Sequence, residues 1–323
     1  MEDPQNEILV SICCTAYNHE KYIEQALEGF IMQQCNFKFE ILVSDDASTD
    51  NTASIIKRYE SNYPYLFQVF YLNENQYSKG NKPLFNILFP ATKGKYIALC
   101  EGDDYWTDPL KLQKQVDFLE ENLHYSFCTH RFLFKREGFN DNVEIQPSIQ
   151  NAESSSYGAQ FYNGKDIEID YNMFYRAWLT QPLTTVFRND NMNELISFSH
   201  KFTYFRDVHL FYFLLQKGKG YSFNSFMAVY RRHPGGEESG KDRKEKISLK
   251  MKIWKELFEH LPGDYNLRAQ YIEAALRFME VTDQNTRLKL YKDLLKVSTS
   301  MYFFIKVNHK FITSWFNNKA SNE

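Results

Sequence analysis

The densest chemistry in this 323-residue chain lies at Glu101, Asp103 and Asp104, inside the stretch YIALCEGDDYWTD (96–108). Carboxylates packed this closely repel one another. A helix N-cap needs only one such side chain, and Asp108, just ahead of Pro109, already supplies one for the segment that follows. A divalent cation would relieve the repulsion. Mn²⁺ or Mg²⁺ takes oxygen ligands, and Mg²⁺ commonly uses one or two carboxylates together with substrate phosphates. A second acidic pair, Asp45 and Asp46, closes another apolar run. Further along, YRRHPGG (230–236) gathers Arg231, Arg232 and His233, cationic groups that could meet phosphate oxygens, and His233 could join a metal. The paired glycines there would let the loop close over a ligand. A solvated basic turn is the plainer alternative for that segment.

These side chains need a scaffold, and the hydrophobic period describes one. Residues 8–17, 39–46, 67–73 and 94–104 are short apolar runs rich in β-formers and read as strands. Between them, 18–34, 48–63 and 82–92 switch to helical spacing, with Asn18 a candidate N-cap for the first. Residues 108–122 open on Asp-Pro and continue as an amphipathic helix. Strand and helix alternating at this interval imply βαβ units and a largely parallel sheet. Ligands of such sheets bind beyond the carboxyl ends of the strands, where both acidic groups fall. After residue 125 the pattern loosens. Residues 136–165 read as a loop or hairpin insertion, 184–187 as a short strand, 204–218 as a helix, and the segment from 220 as a strand entering the Gly-rich loop. From Lys241 onward two or three helices are expected.

Bulk properties exclude several functions. A net charge of −3 gives no general case for nucleic-acid binding. No apolar run reaches the roughly 18–20 residues that span a bilayer. The N-terminus lacks the basic and apolar regions of a signal peptide. Five cysteines, 13, 14, 35, 100 and 128, sit in apolar surroundings without metal-site spacing and read as reduced thiols, which points to the cytoplasm. Neither GxGxxG nor GxxxxGK[ST] follows the first strand, which disfavours dinucleotide dehydrogenases and P-loop NTPases.

The segments VSICCTAYNHEKYIEQALEGFIMQ, FEILVSDDASTDNT and GKYIALCEGDDYWTDPLKLQKQ, in this order, resemble family 2 glycosyltransferases of the GT-A fold. FRDVHLFYFLLQKGKGYSFNSFMAVYRRHPGG extends the likeness to about residue 236. The nearest resemblance is to bacterial members that build surface polysaccharides. It implies a Rossmann-like GT-A domain, with residues 1–125 binding the nucleotide-sugar, 126–240 forming the acceptor side, and 241–323 a helical extension. Thr15, Ala16, Tyr17 and Asn18 would line the base and ribose. Asp45 or Asp46 would hydrogen-bond the base, with Asp46 alternatively capping a turn. Asp103 would touch ribose or metal, and Asp104 metal or donor sugar. Glu101 occupies the first acidic position of the family's DxD motif, an oxygen ligand longer by one methylene. Asp207, in YFRDVHL, falls where the family carries its catalytic base; from the residue alone, a helix N-cap is an equal reading. The implied reaction inverts the anomeric centre, moving sugar from a nucleotide-diphospho-sugar, first a UDP-sugar, to a glycan or lipid-linked acceptor.

The tail adds one partner. From Arg287 to Lys319 seven Lys or Arg accompany a single acid, Asp293, among Phe303, Phe304, Ile305, Phe311, Ile312, Trp315 and Phe316. Basic residues interleaved with aromatics suit the inner face of an anionic membrane, and equally a helical cap or an oligomer contact. Tyr105, Trp106 and Trp178 could stack on a sugar face or simply pack. The histidines other than His233 read as structural. Two rivals share parts of this pattern: a sugar nucleotidyltransferase, which usually needs a basic Gly-rich loop where this chain has CTAYNHEKY, and an inactive nucleotide-sugar-binding scaffold.

Overall fold

A computed structural model describes residues 7–139, 143–147, 164–175, 180–236, 239–298 and 300–317. Strands β1 (Ile8–Ala16), β2 (Lys38–Asp45), β3 (Phe67–Tyr71) and β4 (Tyr96–Leu99) pair in parallel in the order β3-β2-β1-β4. β1, β2 and β4 are buried along most of their length, as strands covered on both faces must be. Beyond β4 the sheet becomes mixed. β5 (Tyr105–Trp106), β6 (Tyr125–Arg136), β9 (Val186–Arg188) and β10 (Lys219–Arg232) complete the order as β4-β9-β6-β10-β5. β9 lies antiparallel between β4 and β6, β10 runs parallel to β6, and β5 is antiparallel on β10. β7 (Val143–Pro147) returns along β6 as a hairpin, and β8 (Ile167–Ile169) pairs with β10.

The helix α1 (Ile23–Ile31) buries Ile23, Ala26, Leu27 and Phe30, the i, i+3, i+4, i+7 stripe that fits a helix to a sheet. It starts five residues after the expected cap: His19 O accepts the N–H groups of Tyr22 and Ile23, both at 2.8 Å, and this turn opens the helix. Gly29 has a packing reason. A Cβ there would stand 3.0 Å from the main-chain nitrogen of Trp106, so α1 presses directly on β5. Helix α2 (Thr52–Asn62) follows β2, and α3 (Lys111–Glu121) precedes β6. The segment expected as a helix over 82–92 is a π-helical turn, Leu84–Leu88, followed by a short α-turn, Phe89–Ala91. α4 (Met192–Ser199) and α5 (Asp207–Lys217) follow, after a single helical turn at Tyr171–Phe174, and α5 enters β10 through Gly218. All five cysteines are free thiols, four of them buried, and burial pushes those thiols above their ordinary range.

The chain divides into two compact units, Met1–Lys201 with Asp207–Pro234, and Phe202–Arg206 with Gly235–Glu323. The sheet runs unbroken across residue 125 within the first. Among its described residues the second holds four helices rather than two or three: α6 (Arg243–His260), α7 (Tyr265–Val281), α8 (Gln284–Val297) and α9 (Met301–Asn317). Aspartates cap three of them. Asp242 forms a capping box with Glu245, while Asp264 and Asp283 accept from Leu267 and Thr286. Arg287 is fully buried and donates to the carbonyls of Met279, Thr282 and Ser314, holding the ends of α7 and α9 together. No helix among the described residues is long and apolar enough to cross a membrane.

Candidate active site

The acidic cluster is a continuation of the β1–β4 pairing. Beyond β4, Cys100 N–H reaches Cys13 O and Gly102 N–H reaches Thr15 O at 3.0 Å, which carries the chain past the sheet edge. Asp104 N–H then turns back onto Glu101 O at 3.1 Å. Gly102 sits where a Cβ would stand 2.8 Å from Ile23 Cδ1 and 3.0 Å from His19 Nδ1. The missing side chain leaves room for His19. Pairing of β5 with Ala228 and Val229 pins the far end of the turn to β10.

Around this turn the residues expected to act together do converge. Asp103 Oδ2 lies 3.0 Å from His233 Nε2 and 3.9 Å from His19 Nε2. Asp104 is buried, and its Oδ1 accepts the main-chain N–H of Arg231 at 2.7 Å. Glu101 stands exposed at the rim. One ligand atom from each of Glu101, Asp103 and Asp104 lies within 4.8 Å of the others, and the same holds for His19, Asp103 and His233. The oxygen set suits Mg²⁺ or Mn²⁺, and imidazole nitrogens add affinity for Mn²⁺ and later transition metals. His19 Nδ1 is buried and among the described residues has no hydrogen-bond partner, as a ring held ready for a ligand would be. The side chains present therefore fit a divalent cation.

The electrostatics agree. Burial pushes Asp104 well above the carboxylate range, and the charges of Asp103 and Glu101 add to the effect. Burial also raises Asp103, but the His233 hydrogen bond and the positive potential of both imidazoles outweigh it and hold Asp103 low. Burial keeps His19 below its ordinary value, which favours the neutral ligand form despite the opposing pull of Asp103.

Arg231 is an internal clamp. Its guanidinium is buried, donates to Asp103 O and Gln25 Oε1, and pairs with Glu137 at 2.6 Å between the rings of Tyr22 and Tyr105. Arg232 is exposed. His233 is buried with its ring 4.4 Å from that of Tyr22. Trp106 is committed to packing: its Nε1 donates to Leu183 O at 2.8 Å, and Lys111 Nζ lies 4.1 Å above its ring. Trp178 lies outside the described residues.

The loops after β1 and β2 are stitched together. Asn18 N–H reaches Ser48 Oγ at 2.9 Å, and Asn18 Oδ1 accepts Thr49 N–H at 2.8 Å. His19 N–H reaches Thr52 Oγ1 at 2.8 Å. Asn18 and Ala47 both adopt left-handed backbone, φ 54° and 60°, a conformation Asn tolerates and Ala pays for unless its surroundings hold it. Thr15 and Ala16 end β1, Ala16 faces Asp45 in register, and Tyr17 is exposed. The structure separates the two aspartates of the SDD stretch. Asp46 caps a turn, its oxygens accepting Gln76 and Tyr77 N–H at 2.7 and 3.0 Å. Asp45 accepts from Ser48, including a long main-chain bond of 3.4 Å on Oδ2, and its Oδ1 has no partner among the described residues.

Asp207 is the first residue of α5, half-buried, with Oδ1 accepting Val208 N–H at 2.9 Å. α5 packs on β10 and β6 and turns straight into β10, so Asp207 is at the end of the helix remote from the start of that strand.

His19 is the participant that the sequence reading missed. One signal was available: it follows directly on the first strand's turn, at the ligand-binding edge of the sheet. Tyr22, Gln25 and Glu137, which surround Arg231, carry no comparable signal.

A family model described as "Glycosyl transferase family 2" matches residues 11–210. The uncharacterized protein Rv1520 of Mycobacterium tuberculosis is 46% identical over 121 residues, 38% of this chain and 34% of its own. An Escherichia coli protein named UDP-Glc:alpha-D-GlcNAc-diphosphoundecaprenol beta-1,3-glucosyltransferase WfaP is 32% identical over 123 residues, 38% of this chain and 46% of its own. The chain thus spans between a third and a half of the length of these relatives. Among solved structures, Staphylococcus aureus TarS 1–349 with UDP-GlcNAc aligns over 97% of this chain and 92% of its own, at a TM-score of 0.55 and 17% identity. That likeness is one of fold.

Proposed function

Because this chain belongs to glycosyl transferase family 2 and folds as a GT-A domain, we propose that it is a metal-dependent, inverting glycosyltransferase. It moves a sugar from a nucleotide-diphospho-sugar, first a UDP-sugar, to a glycan or lipid-linked acceptor in bacterial surface-polysaccharide synthesis, on the cytoplasmic side. The observation that carries this reading is the pair of ligand sets sharing Asp103, one of carboxylates and one with His19 and His233.

Glu101, Asp103, Asp104 and His233 hold Mn²⁺ or Mg²⁺ in this reading, with His19 beside them. When bound, the cation offsets the negative charge that develops on the departing diphosphate. Thr15, Ala16, Tyr17 and Asn18 receive the base and ribose on loops that their mutual hydrogen bonds hold in place. Asp45 is the base-binding aspartate, because its Oδ1 is open while Asp46 is occupied by a turn. Arg231 holds the acidic turn in position, and the exposed Arg232 is left to meet the diphosphate.

Asp207 is the base. An acceptor hydroxyl is a weak nucleophile. The Asp207 carboxylate takes its proton as the oxygen attacks the anomeric carbon and the bond to diphosphate breaks. One displacement inverts that carbon and needs no covalent sugar–protein intermediate.

A thermal-shift panel tests the reading. UDP, GDP, dTDP, CDP and CMP are each added with and without Mn²⁺. A ligand at ~100 times its dissociation constant stabilises a fold by about 2.7 kcal/mol. The expected result is a shift with one nucleoside diphosphate that requires Mn²⁺, and release of that diphosphate from its sugar donor when acceptor is added. No shift with any nucleotide refutes the donor site. A shift without turnover on any acceptor would favour the inactive scaffold.

A further inference from the structure

In the second unit, helices α6, α7 and α9 enclose a groove of about 870 Å³. Each helix contributes one face at helical spacing: Arg243 and Lys246 from α6, Arg277 with two glutamates from α7, and Lys306 and Lys310 from α9. Five fixed cations meet two carboxylates. Glu273 and Glu280 are already matched by Lys306 and Lys310. Arg243, Lys246 and Arg277 have no ion pair among the described residues. A concave surface with three unmatched cations has the chemistry to hold phosphate oxygens, and Arg can do so with two parallel donors.

The same helix α9 carries a second feature. Phe303, Val307 and Ser314 bury one face. The opposite face presents Met301, Ile305 and Ile312, at 73%, 59% and 53% exposure, with Tyr302 and Phe304 beside them. On this helix Lys306 of the groove lies about a third of a turn from the centre of the apolar stripe, and Lys310 lies further round toward the buried face. The basic tail expected from the sequence is therefore sorted by the fold. Arg287 leaves the surface to bind carbonyls, Lys296 pairs with Asp293, Lys289 and Lys292 stay exposed on α8, and the unmatched cations of the groove come from α6 and α7. The side chains of Trp315 and Phe316 lie outside the described residues.

We propose that this unit binds the phosphate headgroups of an anionic bilayer in the α6–α7–α9 groove, while the Met301–Ile305–Ile312 face of α9 enters the interfacial layer. An apolar stripe beside a cationic flank, on a helix too polar to span, is the arrangement that lies in a membrane surface. A second copy docked on the same stripe would bring cation against cation, whereas anionic headgroups neutralise the groove. The inference is independent of the donor chemistry proposed above, since vesicle binding needs neither nucleotide nor metal.

Co-sedimentation of the full chain with vesicles tests it. Phosphatidylglycerol–phosphatidylcholine vesicles should carry the protein down, and pure phosphatidylcholine vesicles should leave it in solution. The combined variant Arg243→Ala, Lys246→Ala, Arg277→Ala should lose about a hundredfold in partitioning, from roughly fivefold for each cation. It orphans no carboxylate, so its thermal melt should match that of the parent. Ile305→Ser with Ile312→Ser should weaken binding independently. Equal binding of parent and triple variant to anionic vesicles overturns the proposal, as does failure of the parent to bind them. Full displacement by millimolar glycerol phosphate would make a free phosphate compound the ligand and also overturn it. So would concentration-dependent dimerisation abolished by the serine pair, which would assign the stripe to a second copy.

Discussion

The main-chain N–H of Arg231 donates to Oδ1 of Asp104 at 2.7 Å, joining residues 127 positions apart in the chain. The bond is made by backbone, so it holds whatever the charge on Asp104. It fixes a buried carboxyl beside two others. In exchange for a site that favours a cation, the fold carries local repulsion when none is bound.

That repulsion has a pH sign. The folded value of Asp104 is raised above its unfolded one by burial and by Asp103 and Glu101. The folded state then holds the proton more tightly, and the stability this contributes is present at low pH and lost as pH rises through the folded value. Asp104→Asn keeps the oxygen that accepts from Arg231 and removes the charge. In metal chelator the variant should exceed the parent by about 1 kcal/mol at pH 8, with the gap shrinking toward pH 5. Urea unfolding at the two pH values checks this, and a parent as stable as the variant at pH 8 contradicts it.

Cation binding should expel that proton. Calorimetric titration of Mn²⁺ in two buffers of different ionisation enthalpy should show proton release that declines as pH rises and is absent in Asp104→Asn, whose Mn²⁺ affinity should also fall sharply. Equal apparent enthalpies in both buffers would mean that binding releases no proton and would contradict the expectation.

Asp207→Asn should retain nucleotide affinity while turnover falls by about 10²–10⁴, the usual contribution of a positioned base. Titration of donor analogue and steady-state kinetics separate the two. Unchanged turnover removes Asp207 from the chemistry and leaves it as a helix cap.

Gly102→Ala tests the space given to His19. The new methyl must displace Ile23 or the His19 ring. Mn²⁺ affinity should drop about tenfold, as when an outer-shell support is disturbed, while circular dichroism stays that of the parent.

Lys111 gives a prediction outside the site. It is fully buried between Gln115 and the ring of Trp106, and burial lowers it to about 7. An unfolded lysine titrates near ~10.4. Between those values the unfolded chain binds more protons, so this residue makes stability rise with pH. Unfolding at pH 7 and pH 9 should show the parent gaining about 1–2 kcal/mol more than Lys111→Met over that interval.

The apolar runs that became β1, β2 and β4 were legible because strands buried on both faces need unbroken hydrophobic sequence. The acidic turn was legible because charge at the end of such a run has few structural uses. β9 placed antiparallel between β4 and β6 was not, since three residues of strand carry no sign of their partners. The start of α1 was misplaced because Asn18 has the chemistry of a cap and uses it instead on Thr49, across to the neighbouring loop. His19 and Arg287 escaped for a common reason. What each does is set by groups that only folding brings near: the Asp103 carboxylate for one, three helix-end carbonyls for the other.

The span between Asp104 and Arg231 also bears on the order of events during synthesis. The acidic turn leaves the ribosome early, and the strand that clamps it follows roughly 6–25 s later at usual elongation rates. Until then Asp103 lacks His233, and β5 lacks its partner in the sheet. A nascent chain with its first four strands made has the loops after β1 and β2 but no assembled acidic centre. Formation of that centre coincides with completion of the sheet, so a chain arrested before residue 233 would lack the whole proposed cation site rather than part of it.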